Sequence, residues 1–371
     1  MKVNIQGTLT LTSPLHVAAP GDAVCQFPTD RAPSRFRFGG IQDPNRECPA
    51  VRTMFTRKPI PADELVESNG DSKPLPFVEL PFIPANSIRG RLRRFAADEI
   101  FQAIILQEKK ITLGTLRGLL CGAVTGQPAG TCSVEDRLAS AKHFYLGLFG
   151  GGPRLIQSSL SVCDSYPLIE EAAGVVPHNL PLHPIRARDI TQARYYRKLE
   201  DLADYIRNGS DKVVDNFYAA ASEYLAGLEG EQSKRAAERA EKPAGEKTKK
   251  TGLKFFGAIE MVIPGVPFSF DLSVDTEFIG LSGLGLLIQS ISTFTKTQGL
   301  GGLSRVGFGR FDADLNLIAN GELPAPLIKN VNGVNTLQET GNSLVEEALQ
   351  AWAEVAGTLD VNELEHLFRL E

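Results

Sequence analysis

Four segments of the 371-residue chain concentrate residue types that bind polyanions. FIPANSIRGRLRRF (82–95) brings Arg89, Arg91, Arg93 and Arg94 to a helix start with no acidic residue among them. A helix start presents unpaired backbone N–H groups that suit phosphate oxygens, and arginine adds a planar fork of donors for the same oxygens. KTQGLGGLSRVGFGRF (296–311) places Lys296, Arg305 and Arg310 in or beside a glycine-rich turn. Glycine lets backbone approach a ligand closely, and successive amides form an anion-binding nest. HPIRARDITQARYYRKLE (183–200) mixes Arg186, Arg188, Arg194, Arg197 and Lys198 with tyrosine, and RAPSRFRFGG (31–40) interleaves Arg35 and Arg37 with phenylalanine. Each segment also has a plain structural counterpart: arginines paired with distant acids, a tight turn, an ordinary basic helix.

Signatures of bond-breaking chemistry are missing. There is no phosphate loop, H-E-x-x-H pair, nucleophile elbow or dinucleotide fingerprint. Of five histidines, only His178 and His183 are close, between prolines and without an acidic cluster, so no metal site is expected. The five cysteines form no C-x-x-C pair and their odd number suggests no disulfide framework. No cofactor is implied. The net charge of −5 speaks weakly against general nucleic-acid affinity, although binding depends on where positive charge sits. The opening MKVNIQGTLTLTS lacks the apolar stretch of a signal peptide, and no apolar run approaches a membrane span; a cytoplasmic protein is expected, with no membrane partner.

The elements that must position these residues follow from periodicity. Val3, Ile5, Leu9 and Leu11 alternate with polar residues, which predicts a strand ending at Ser13-Pro14. Ile88, Leu92, Ala96, Ile100, Ala103 and Ile104 recur at helical spacing, with Asn86 or Ser87 as cap; Arg89 and Arg93 share one side. SLSVCDS (159–165) reads as a short strand. Alternation then predicts strands over 255–263 and 268–274, a helix bearing Leu284, Leu287, Ile288, Ile291 and Phe294, and a strand from Phe311 to Leu317. Ser343 and Glu346 suggest a capping box opening a final helix, with Trp352 in the core. The order strand, helix, strand, strand pair, helix, strand is the split βαβ plan, an α+β fold with a ferredoxin-like, RRM-like core. That core comprises 1–19, 81–165 and 253–318. Residues 20–80 show no sustained period and read as an insertion, as do 166–252, which end in the charged low-complexity stretch 231–250. Residues 319–371 form a C-terminal extension with a helix.

IPANSIRGRLRR, GLGGLSRVGFGRF, the strand running into SPLHVA and the LFG at 148–150 together resemble the RAMP (repeat-associated mysterious protein) superfamily. Within it, VCDSYPLIEE, RARDITQARYYR and FFGAIEMVIPGVPFSFDLSV look most like the Cas-seven backbone subunits of type IV CRISPR systems. The resemblance implies a non-enzymatic subunit that binds guide RNA (crRNA), stacks head to tail into a filament, joins other effector subunits and presents the guide to a target nucleic acid. It implies RNA contacts by His16, Asn86, Ser87, Arg89, Arg91, Arg93, Arg94, Lys296, Gly299, Gly301, Gly302, Ser304, Arg305 and Arg310. It maps a guide-contacting thumb onto 183–200, with Arg186, Arg188, Arg194, Arg197 and Lys198, and leaves Arg35 and Arg37 as contacts from the first insertion. In related type III subunits an aspartate after the first strand supports metal-dependent RNA cleavage; Asp22 and Asp30 stand nearby, though aspartate is also a common turn residue. A RAMP guide-processing endoribonuclease, with His16 as its only comparable general acid–base group, and a ferredoxin-like protein without nucleic acid are the competing readings.

Overall fold

A computed structural model of the chain describes residues 1–30, 32–43, 45–60, 77–122, 133–152, 155–199, 216, 223, 254–297 and 299–368. The charged stretch 231–250 lies outside them. In chain order the strands are β1 (Lys2–Leu11), β2 (Ala23–Gln26), β3 (Arg35–Phe38), β4 (Glu47–Val51), β5 (Phe55–Pro59), β6 (Phe77–Pro81), β7 (Leu160–Val162), β8 (Thr191–Leu199), β9 (Lys254–Val262), β10 (Pro267–Asp275), β11 (Phe311–Ala319), β12 (Ala325–Val331) and β13 (Val334–Leu337). The described helices are α1 (Ala85–Leu106), α2 (Leu113–Cys121), α3 (Val134–Lys142), α4 (Leu146–Phe149), α5 (Thr276–Thr297), α6 (Ser343–Gly357) and α7 (Val361–Phe368).

The alternation in β1 buries Val3, Ile5, Leu9 and Leu11 and pairs the strand with β10 on one side and β11 on the other, both antiparallel. The first sheet runs β13-β12-β11-β1-β10-β7. Taking β1, β7, β10 and β11 as the first to fourth strands of a β-α-β-β-α-β unit, the order is fourth, first, third, second, the ferredoxin-like arrangement. Its two helices are α1 and α5. Both bury their apolar stripes in the same core, and Phe95 of α1 meets Phe294 of α5 at 6.4 Å. Fully burying such a side chain contributes about 1.5–3 kcal/mol, so these stripes fix where α1 stands. α5 is long and apolar enough to cross a bilayer, but 67% of its most apolar window is buried within the protein, as befits a core helix. Its first turn is separated from the rest by Gly280, at φ 65°.

Two local expectations need correction. α1 begins at Ala85, one residue before Asn86, and neither Asn86 nor Ser87 caps it; Pro84 precedes it in extended conformation, and the Ala85 N–H donates to Asp164 Oδ1 at 2.7 Å. α6 is capped by Asn342, whose Oδ1 accepts from Leu344 and Val345, while Glu346 accepts from the Gly341 N–H. Trp352 is buried in the core.

The chain divides into two compact units. The larger comprises Met1–Pro20, Arg52–Gln192 and Glu260–Glu371; the smaller comprises Gly21–Val51 and Ala193–Ile259. The smaller unit holds most of a second sheet, β3-β2-β4-β9-β8, in which β2, β3 and β4 come from the stretch without a sustained period and β9 from the alternating stretch 255–263. Its core is small: Cys25, Cys48 and Ala258, with Phe27, Phe36, Ala50, Ala193 and Tyr195 packed around them. Residues 191–199 form a strand, not the basic helix that their composition allows.

Candidate nucleic-acid interface

In the larger unit, α1 sends its four arginines in two directions. Arg89 and Arg93 point inward. Arg89 donates to the carbonyl of Phe149; Arg93 donates to Phe149 O, to Gly150 O at 3.1 Å and to Cys121 O at 3.1 Å. These carbonyls lie at the ends of α4 and α2, where the last turn leaves acceptors without intrahelical partners. Burial and the neighbouring Arg93 hold the Arg89 pKa below its usual range. Their charge serves the junction of α1, α2 and α4, although Arg89 also edges an open cleft of about 530 Å³ with Asn86, Gln157, Ser158 and Ser161. Asn86 and Ser87 are exposed on the first turn of α1.

Arg91 and Arg94 lie elsewhere on α1. Arg94 is exposed. Arg91 is half-buried beside the glycine-rich loop, its Nη2 4.0 Å from where a side chain would start at Gly299. Burial, then repulsion by Arg94, lowers the Arg91 pKa. The loop itself clasps the end of β1. Gly302 N–H donates to His16 O at 2.8 Å, Gly309 N–H to Pro14 O at 2.8 Å, and Arg310 N–H to Ser13 Oγ at 2.8 Å. Glycine is required where the clasp is tightest. Gly301 and Gly309 have φ of 68° and 74°, and a Cβ would strike His16 O at the first and Leu300 O at the second. Gly299 is buried and Gly301 half-buried, while Gly302, Ser304, Arg305, Arg310 and Lys296 are exposed. Among the described residues, none of Arg91, Arg94, Lys296, Arg305 and Arg310 has a carboxylate within 4.0 Å. The fold therefore gathers five cations from two segments some two hundred residues apart in sequence, around the glycine-rich loop.

His16 is not on that surface. It is 4% exposed, its Nδ1 bonds to the Glu260 carbonyl at 2.7 Å, and burial lowers its pKa. A neutral ring whose Nδ1–H is given to a backbone oxygen holds the clasp in place. Sequence reasoning missed the support behind it: Arg52 bonds to Glu260 at 2.9 Å and to Glu79 at 2.9 Å, and Glu260 also accepts from the Thr53 N–H. Arg186 and Arg188 are exposed near β8, the latter 3.6 Å from Asp189.

In the smaller unit, Arg37 is engaged by Glu47 at 2.8 Å, while Arg35 is exposed. The Glu47 carboxyl is held at about 2, chiefly by the Gln42 N–H, with Arg37 and Gln26 adding to the effect. Arg194 is exposed on β8; Arg197 and Lys198 lie further along the strand, and their side chains fall outside the described ones. Asp22 and Asp30 are exposed, and no group of three or more metal-ligating side chains occurs among the described residues.

No curated protein matches the chain. Among solved structures, a chain of a "Type IV-B CRISPR Complex" aligns with 16% identity over 88% of this chain and 95% of its own, at a TM-score of 0.42. The profile of the RAMP superfamily matches residues 8–312. That span runs from β1 into β11 and contains both the arginine helix and the glycine loop, and by it the chain belongs to the RAMP superfamily.

Proposed function

We propose that this chain is a guide-RNA-binding backbone subunit of a CRISPR effector ribonucleoprotein, of type IV, working in the cytoplasm. Copies stack head to tail along the guide, other effector subunits join them, and the guide remains available to pair with a target nucleic acid. The observation that carries this reading is the convergence of Arg91, Arg94, Lys296, Arg305 and Arg310 around the glycine loop, none of them paired with a described carboxylate within 4.0 Å. Cations and backbone amides address phosphates and so hold a strand without reading its sequence, which leaves base edges free. A head-to-tail contact that does not close produces a filament. The subunit itself does no chemistry in this reading. The alternative of a guide-processing nuclease depends on His16, and that ring is enclosed by the β1 end and the loop.

The test is purification from cells carrying a matching CRISPR array, reading absorbance at 260 and 280 nm alongside particle size. A large RNA-rich particle with uniform guide-length RNA is expected. A nucleic-acid-free monomer from those cells overturns the reading. Replacing Arg91, Arg94, Arg305 and Arg310 together with glutamine is expected to release the RNA while the fold is retained.

A further inference from the structure

Two cysteines face each other across the smaller unit's sheet. Cys25 of β2 and Cys48 of β4 are register partners in an antiparallel pairing. Directly opposite residues project to the same side of a sheet, so the two thiols share one face. They are 0% and 3% exposed, and with Ala258 they form the buried core of this unit. Neither is in a disulfide. Burial, then the neighbouring Cys25, pushes the Cys48 thiol up to about 11, so the two groups sense each other. Tyr195 packs against the pair, its Oη 3.5 Å from Cys25 Sγ and 2.6 Å from Ser34 Oγ.

The register also fixes the spacing. Phe27 N–H donates to Arg46 O at 2.8 Å, so these two are a hydrogen-bonded pair, and Cys25 and Cys48, two positions along, are another. Pro49 falls at the alternate position opposite Val24, where β2 asks for no donor. Cα atoms of a hydrogen-bonded pair lie about 5.5 Å apart, inside the range a disulfide spans. Their Cβ atoms stand near the wide end of about 4.5–5.5 Å, against about 3.5–4.5 Å in an unstrained bridge. Bridging therefore draws β2 and β4 together by about 1 Å, and a bridge held against such strain is the readily reduced kind.

We infer that Cys25 and Cys48 form a reversible disulfide, made by hydrogen peroxide and broken by glutathione, that clamps β2 to β4. The inference goes beyond the RNA-binding reading and does not depend on it. In a reducing compartment the disulfides that form are transient, and a strained one suits the sensing of oxidant. One thiolate attacks the peroxide O–O bond, giving a sulfenic acid and a hydroxide that takes up the thiol's proton as water. The second thiol attacks the sulfenic sulfur, the S–S bond forms, and a second water leaves. Two thiols are oxidised and one peroxide is reduced to two waters. Two glutathiones reverse the step through a mixed disulfide and leave as glutathione disulfide. Burial slows the attack, because the thiolate is the reacting form. A unit with so small a buried core opens locally at little cost, which admits a small oxidant. Packing alone is the competing role, since buried cysteine also behaves as a small hydrophobe.

The test uses the full chain with Cys121, Cys132 and Cys163 replaced by serine. It is treated with hydrogen peroxide under native conditions, and its thiols are counted with iodoacetamide and by peptide mass spectrometry. Expected are the joint loss of both thiols, a mass lower by two hydrogens, and one Cys25–Cys48 cross-linked peptide from the monomer. Reduced glutathione then restores both thiols. Cys48→Ser in the same background is expected to give no bridge within the chain. Should the serine background melt early, peptide mapping of the wild-type chain decides, because it identifies each partner. Thiols that stay reduced in the folded chain, or a bridge that forms only in urea, overturn the inference and assign the pair to packing. A bridge that glutathione leaves intact overturns the reversible clamp.

Discussion

The division of the α1 arginines makes opposite forecasts for neighbouring, chemically identical residues. Arg93→Ala removes three bonds to carbonyls: Phe149 O and Gly150 O, which are partly buried, and Cys121 O, which is exposed. A hydrogen bond from a charged donor contributes about 1.5–3 kcal/mol where water is partly excluded. Two such bonds at the low end, with the exposed one near zero, give about 3 kcal/mol. Relief of the repulsion between Arg93 and Arg89 trims this to about 2–3 kcal/mol. Arg94 is exposed and has no carboxylate within 4.0 Å, so Arg94→Gln changes stability by less than about 0.5 kcal/mol. For RNA the order reverses. Arg94→Gln removes one phosphate contact and lowers the salt slope by about 0.7, whereas Arg93→Ala changes the slope little in the fraction that remains folded. Urea unfolding gives the first pair of numbers, and RNA titration over a salt series gives the second. Equal stability of the two variants, or a loss of salt dependence in Arg93→Ala instead of Arg94→Gln, would refute the inward and outward assignment.

Three further outcomes follow from the surrounding structure. Glu260→Gln takes one carboxylate from nearly buried Arg52, which keeps Glu79, and should cost about 1–3 kcal/mol in urea unfolding. Leu303 sits in the glycine loop at φ 61°, so Leu303→Gly should raise stability by about 0.5–1 kcal/mol, read as a higher urea midpoint at unchanged slope. Acid should weaken the protein in two windows. Burial holds His143 at about 4 against an ordinary 6.5, so its neutral-state contribution is complete above about pH 6.5 and is lost as pH falls toward 4. Glu47, held at about 2 against 4.5, contributes fully above about pH 4.5 and is lost as pH falls toward 2. His143→Gln and Glu47→Gln should each flatten the stability–pH curve in its own window.

How much of this was readable from residues depends on what buries each element. β1, β10, β11, α1 and α5 carry long apolar stripes, and the ferredoxin-like order follows from them. β2 to β6 are four or five residues long, and β3 and β5 have no buried residue, so no stripe announces them. β8 has the alternation, with Ala193 and Tyr195 facing the small core and Arg194 and Tyr196 facing out, but its basic composition suggested a helix. The β12–β13 hairpin has its signal in the turn: Asn332 and Gly333, both at positive φ, are the preferred pair for it.

The arginines of α1 are the instructive case, because their division is present in the sequence. At about 100° per residue, Ile88, Leu92, Ala96, Ala97, Ile100, Ala103 and Ile104 span roughly half the helix circumference. Arg89 and Arg93 fall inside that arc, and Arg91 and Arg94 fall on the opposite one. A cation inside an apolar arc at a helix start must find acceptors within the protein or lose its charge's hydration without return. The sequence could not say that those acceptors would be the carbonyls of Phe149, Gly150 and Cys121. It did say that two of the four arginines needed some. Residue type alone marks a basic helix start as one site, whereas type read together with angular position separates the arginines that build the junction from those left to meet a ligand.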